Sequence, residues 1–349
     1  MSPFLRRIIV SIGALAVIFS ALAVAAPQTT NATQTATSRI VSAANTFLST
    51  LDEKQQQGVL FAFDDAKQRA NWSNLPVRMV PRGGVSLQDM NAAQRAAAMA
   101  LVSSALSRKG FEKVEQIMEG DEVNKINSNN NPMFGKDLYY ISILGKPSEK
   151  DPWMLQFGGH HLALNITIAG ERGVLTPTLT GAQPALYTRN GKTVRPLGQE
   201  SDKALALLNT LDDNQRKQAI LGFRLADLVL GPGQDGKTIQ PEGLKATSMN
   251  DRQRAMLLDL ISEWAGIIHE SAATSRMAEL KADINETWFA WSGPTTAAPG
   301  SNITAYYRIQ GPHLVIEYAP QTLGGDPSLH VHTMYRDPTN DYGRRFAAN

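Results

Sequence analysis

Cysteine is absent from all 349 residues. That excludes disulfides, thiolate metal ligands, a cysteine nucleophile and a cysteine-linked lipid anchor. Any metal would have to sit on His, Asp, Glu, Asn or backbone oxygen, and only six histidines are available. The chain also lacks excess charge. Its 34 Lys and Arg face 32 Asp and Glu. The first 25 residues hold Arg6 and Arg7 and no acid, so the remainder is formally neutral. A neutral chain carries no nucleic-acid footprint. The amino end has Phe4-Leu5-Arg6-Arg7, then an apolar run from Ile8 to Val24, and the small-x-small string Ala23-Val24-Ala25. This is the layout of a secretory signal peptide. No stop-transfer pattern follows it, so the expectation is cleavage after Ala25, a periplasmic or secreted product, and no membrane span after processing. Leu5 stands where a twin-arginine signal has Ser or Thr, which favours the general secretory route.

Residues 26–38, APQTTNATQTATS, have no charged residue before Ser38 and no periodicity, and read as a flexible leader. Beyond it the chain repeats itself. Leu51-Asp52-Glu53-Lys54-Gln55 returns as Leu211-Asp212-Asp213-Asn214-Gln215, and Asn91-Ala92-Ala93-Gln94-Arg95 as Asn250-Asp251-Arg252-Gln253-Arg254. Gly159-His160-His161-Leu162-Ala163-Leu164-Asn165 returns as Gly311-Pro312-His313-Leu314-Val315-Ile316-Glu317. Three matches in one order indicate duplication.

The expected fold is α+β: two diverged copies of a helical hairpin followed by an antiparallel β-meander, related by a pseudo-twofold. The copies are residues 39–186 and 187–349 of one globular unit. Helices are expected over 40–69 and 87–109, with partners over 202–230 and 249–270. Strands are expected over 138–143, 153–157 and 161–169, and over 287–291, 305–310 and 313–319.

Gly231-Pro232-Gly233-Gln234-Asp235-Gly236-Lys237-Thr238 fits the phosphate-loop pattern letter for letter. That loop needs a strand before it and a helix opening at Lys-Thr. Here a helix is expected before it, and Pro241 and Gly243 break any helix after it, so a tight glycine turn is the expectation. The histidines offer more. His160 and His161 read as neighbours in a strand, pointing to opposite sides, with Asn165 on the His161 face. His330-Val331-His332 puts two imidazoles on one face of an extended segment. Two such imidazoles with His160 or His161 can ligate one Zn, Cu or Fe ion. Lone His-x-His strings also occur as hydrogen-bonded structural histidines. Glu317 is read as ligand or base, and Arg336, beside Asp337 and Asp341, as either a clamp for an anionic small molecule or a structural ion pair.

Several strings together resemble a bacterial family, domain of unknown function 3500. They are Trp153 with Gln156, the Gly159–Asn165 string, Gly231 to Lys237 with Pro241-Glu242-Gly243, Tyr306-Tyr307-Arg308-Ile309, and His330-Val331-His332-Thr333 with Arg336-Asp337-Pro338. The resemblance spans about residues 45 to 345. It implies no activity, fold or cofactor. It does mark His160-His161, His330-His332 and Arg336-Asp337 as signature strings, and it supports Glu317 over His313.

The candidate site is therefore His160, His161, His330 and His332 for a metal, Glu317, Arg336 and Asp337 for catalysis, and Asn165 and Gln156 for ligand binding. Three readings fit it: a metal-dependent hydrolase or oxidoreductase, a non-catalytic metal- or solute-binding protein, and a structural exported protein.

Overall fold

The computed structural model describes residues 35–346. The expected signal peptide, most of the leader and the last three residues lie outside the described residues. Eight helices carry most of the helical structure: α1 Ala36–Thr50, α2 Glu53–Val59, α3 Ala92–Ala105, α4 Arg108–Asn127, α5 Gly198–Thr210, α6 Asp213–Ala219, α7 Asp251–Ala265 and α8 Glu270–Ala282. Among the described residues no helix is long and apolar enough to cross a membrane.

The repeated strings are helix starts. Asp52 and Gln55 close a capping box on α2, and Asp212 and Gln215 close one on α6. Asn91 with Gln94 and Asn250 with Gln253 do the same for α3 and α7. The boxes also lock to one another. Gln94 Nε2 donates to the Thr50 carbonyl and to Gln55 Oε1, at 2.9 and 2.7 Å. Gln253 Nε2 donates to the Thr210 carbonyl and to Gln215 Oε1, both at 2.9 Å.

Both first helices stop earlier than their apolar spacing suggests. After Val59, Leu60–Phe61 pairs in parallel with the sheet. After Ala219, Ile220 makes a parallel bridge to Trp291. The helix expected to reach residue 230 therefore ends at Ala219, and neither strand nor helix leads into Gly231–Thr238. No helix opens at Lys237.

The fold is α+β around one large mixed sheet. Its main strands are β1 Tyr140–Leu144, β2 Trp153–Gly159, β3 Leu162–Ala169, β4 Thr178–Ala182, β5 Trp288–Ser292, β6 Tyr306–Gly311, β7 Leu314–Pro320 and β8 Val331–Arg336. They lie in the order β1-β2-β3-β4-β8-β7-β6-β5, each antiparallel to its neighbours. β4 and β8 join the two meanders at the middle.

Strand alternation gives the sheet two unlike faces. On one face Leu155, Phe157, Leu162, Leu164 and Ile166 pack with α1 and α3. On the same face Tyr307, Ile309, Leu314, Ile316 and Tyr318 pack with α5 and α7. Each such buried side chain stabilises by about 1.5–3 kcal/mol. The other face carries Gln156, Asn165, Arg308, Glu317, His332 and Arg336, all buried as well. Two long irregular stretches, residues 62–84 and 221–243, supply side chains and backbone groups to this polar face. Buried polar groups require partners, and that requirement decides where each expected site residue ends up.

Candidate metal centre

His160 and His161 form the two-residue turn between β2 and β3, where Gly159 pairs with Leu162. They are not strand residues on opposite sides, as their spacing suggested. Their rings lie together, with centroids 3.8 Å apart. His161 adopts φ 61, the left-handed region that costs a non-glycine residue about 1–3 kcal/mol. The conformation is held from both sides. His161 N–H donates to the Asn74 carbonyl at 3.2 Å, and its carbonyl accepts from Gly181 N–H at 2.7 Å. Gly181 is required there, because a Cβ would lie 3.0 Å from His161 Cδ2 and 2.9 Å from the Val331 carbonyl.

His330 and His332 arrive from the start of β8. Val331, between them, turns to the helix-covered face, and His332 faces Gly181 across β4. The loop before His330 is closed by Gln321 N–H donating to the His330 carbonyl at 2.7 Å.

The three Nε2 atoms converge. His161 to His330 is 3.0 Å, His161 to His332 is 3.2 Å, and His330 to His332 is 3.1 Å. All three residues are buried. Such separations suit N–H···N hydrogen bonds between neutral rings, an extra proton shared among them, or a cation. Burial argues against the extra proton. Burial pushes His161 well below the usual histidine range, and His160, His332 and His330 add to the shift. Burial also takes His330 down to about 4, although its bond to the Leu323 carbonyl pulls upward. That bond is 2.7 Å from Nδ1. A carbonyl only accepts, so Nδ1 carries the hydrogen and Nε2 keeps its lone pair. Neutral imidazoles with converging lone pairs form a metal-ligand set. His161, His330 and His332 are the residues that would hold a divalent ion there, at metal–nitrogen distances of about 2.1 Å.

A supporting shell surrounds the ligands. His332 Nδ1 lies 3.6 Å from Asp227 Oδ1, too far for a hydrogen bond, and has no other partner among the described residues. Asp227 is held by Leu228 N–H and Gln321 Nε2, at 2.7 and 2.9 Å. Burial raises its pKa, but His332 and the Leu228 N–H more than offset this, and the carboxylate stays below its ordinary value. His160 is not a fourth imidazole. Its Nδ1 sits 2.6 Å from Asp121 Oδ1, and Asp121 Oδ2 accepts from Gly135 N–H. His160 instead backs the His161 ring.

Residues 33–344 match a family described as Protein of unknown function (DUF3500). This chain belongs to that family. No curated protein and no solved structure matches it. His161, His330 and His332 of the DUF3500 chain all fall inside the matched span.

The other expected site residues of this DUF3500 chain lie elsewhere on the polar face. Glu317 accepts from Tyr306 O–H and from the Val229 and Leu230 N–H groups, at 2.7, 2.7 and 2.8 Å. Burial raises its pKa against those bonds. Its partners lie on β6 and in residues 221–243, which with residues 62–84 form a roof over the polar face, and it does not join the histidines. Arg336 is saturated. It donates to the Leu230 and Gly231 carbonyls, to Asp235 and to Asp341, so it is a structural ion pair and no rim clamp. Asp337 pairs with Arg276 and accepts from Thr339. Gln156 and Asn165 bond each other at 2.8 Å, and Gln68 and Pro177 take up their remaining groups.

Sequence reasoning missed Asp121, Asp227, Gly181, Leu323 and Asn74. Asn74 sits in the string Trp72-Ser73-Asn74-Leu75-Pro76, and Asp227 in a stretch that reads as helix. Nothing in either string announces a histidine partner.

Proposed function

We propose that this chain is an exported metalloprotein whose His161, His330 and His332 bind one divalent first-row ion, and that the ion serves a metal-dependent reaction. The observation that carries this reading is the convergence of three buried Nε2 atoms within 3.0–3.2 Å of one another. Three imidazoles are a ligand set of catalytic zinc sites, whereas structural sites commonly rely on thiolates, which this chain lacks. The ion would act as a Lewis acid or acidify a bound water. Asp227 beside His332 matches the carboxylate–histidine–metal pattern that orients a ligand ring. The strain at His161 also favours a functional turn over a merely structural one.

Part of the same proposal is that the fold arose by duplication, with residues 39–186 and 187–349 as the copies. The sheet order, the four capping boxes and the paired Gln bonds to the Thr50 and Thr210 carbonyls support it. On that reading Gly159 falls on Gly311, and the metal centre gathers at the seam where β4 meets β8.

One experiment addresses export and metal together. Protein recovered from outside the cytoplasm is sequenced from its amino end and analysed for metals. The expected result is a chain starting at Ala26 with about one zinc, copper or iron ion per chain. A chain starting at Met1 and held in the membrane would overturn export. A chain that takes up none of these ions, even after incubation with each, would overturn the metal centre.

A further inference from the structure

We propose that Asn74 is a fourth ligand of this centre, a neutral amide oxygen supplied by the first roof segment; this rests on the metal reading above. Asn74 Nδ2 lies 3.5 Å from His332 Nε2. A tetrahedral ion with bonds of about 2.1 Å separates neighbouring ligand atoms by about 3.4 Å. The amide head therefore stands at ligand distance from His332. The three nitrogens, at 3.0–3.2 Å, sit slightly inside the same edge length.

The two ends of a carboxamide occupy nearly the same place. Facing imidazole lone pairs, the NH2 end turns inward; facing a cation, a half-turn brings Oδ1 to the same point.

The backbone keeps the amide there. Asn74 carbonyl accepts from His161 N–H, so the roof segment and the ligand turn are bonded directly. Arg82 holds the segment on both sides of Asn74, donating to the Ser73 and Leu75 carbonyls at 2.7 Å each, and reaches the Gly159 carbonyl at 3.3 Å. One guanidinium thus ties Asn74 to the end of β2, next to the turn that carries His161.

The chemistry has a consequence. An amide oxygen is a weaker ligand than imidazole and carries no charge, so water, hydroxide or a small anion can displace it. An ion held by three imidazoles keeps its double positive charge, and the Asp227 carboxylate lies 3.6 Å from His332 without entering the ligand set. The resting centre would be four-coordinate, closed by Asn74, and the position Asn74 vacates is the one an anionic or ionisable substrate would take.

The test uses the mature protein loaded with Co2+, read by visible absorption, with azide as the probe anion. Asn74→Ala removes the amide and leaves the backbone bonds in place; circular dichroism confirms folding. Removing the ligand is expected to weaken Co2+ binding by at least the 10- to 100-fold typical of lost supporting groups. It should also shift the Co2+ bands and tighten azide binding. Asn74→Asp, which keeps the oxygen and adds charge, should restore Co2+ affinity to wild type or better. If Asn74→Ala binds Co2+ and azide as the wild type does, with unchanged bands, Asn74 is not a ligand although the three-histidine centre stands. If the wild-type protein takes up no Co2+, the centre itself and this inference fall together.

Discussion

Two hairpin turns occupy matching places in the two meanders, and only one of them built a site. Between β2 and β3 the turn is His160-His161; between β6 and β7 it is Pro312-His313. Both hairpins have a histidine in the second turn position. His161 takes φ 61 and sends a buried ring toward β8. Neither Pro312 nor His313 has a positive φ. His313 stays partly exposed, with Nδ1 2.8 Å from Thr339 Oγ1 and Nε2 3.9 Å from Asp283. The lesson is that a shared hairpin register does not make a ligand. What makes one is a strained backbone, a glycine across the strand that leaves room for the ring, and two further imidazoles on the adjoining strand.

The sharpest way to break the comparison is to remove one imidazole from each side. His332→Ala should abolish tight metal binding, since two imidazoles cannot hold an ion that three were placed to hold. His313→Ala should leave metal stoichiometry and affinity unchanged. Calorimetric titration with Zn2+ reads both. Equal losses in the two variants would show that the turn, and not the triad, is what matters.

A second comparison sets Gly181 against Gly311. A Cβ on Gly181 meets His161 Cδ2 and the Val331 carbonyl, and neither can yield cheaply. Gly181→Ala should cost about 1–3 kcal/mol by overpacking and should weaken metal binding by displacing the His161 ring. A Cβ on Gly311 meets Thr287 Oγ1 at 3.0 Å and otherwise only Leu314 Cβ and Thr287 Cβ at 3.8 Å. Thr287 is the rotatable end of a side chain, so Gly311→Ala should cost less and leave metal binding alone. Thermal unfolding with and without Zn2+ separates the two effects, and a larger loss for Gly311→Ala would undo the argument.

How much of this was legible in the sequence follows from range. Capping boxes are local, three residues apart, so the Asp-x-x-Gln and Asn-x-x-Gln strings were legible as repeats, but the helices expected over 40–69 and 202–230 ran through Asp52 and Asp212, where new helices start. Strand alternation is local too, and it sets Leu162, Leu164 and Ile166 on the face opposite Asn165. The same alternation, carried one residue past the strand end, misplaced His160 and His161, because a two-residue turn ends the parity that a strand enforces. His160 and His161 are neighbours in sequence, but their different roles are set by partners far along the chain, Asp121 for one and His330 and His332 for the other. Glu317 and Arg336 carry the residue types of a site. Their partners, the Leu230 N–H and the Gly231 carbonyl among them, come from about a hundred residues away, and no spacing encodes them.

The smallest expected effect concerns pH, and it sharpens the same contrast between buried and exposed histidines. His161 and His330 are depressed in the folded protein, His330 to about 4, while in the unfolded chain both titrate near 6.5. Between those values the unfolded state binds more protons than the folded one. The histidine contribution to the stability of the metal-free protein is therefore complete above about pH 6.5 and is lost as pH falls toward about 4. Glu317 works in the opposite sense. Its folded pKa is raised by burial, so its protonation favours the folded state in acid and partly masks the histidines. The His330 part is isolated by difference. Urea unfolding of metal-free wild type and of His330→Gln, measured from pH 7 to pH 4.5, should diverge at the high end and converge at the low end as the wild type loses stability more steeply. Parallel curves for His330→Gln would mean that His330 is not held neutral by its burial, and the case against a shared proton between the three imidazoles would lose its support.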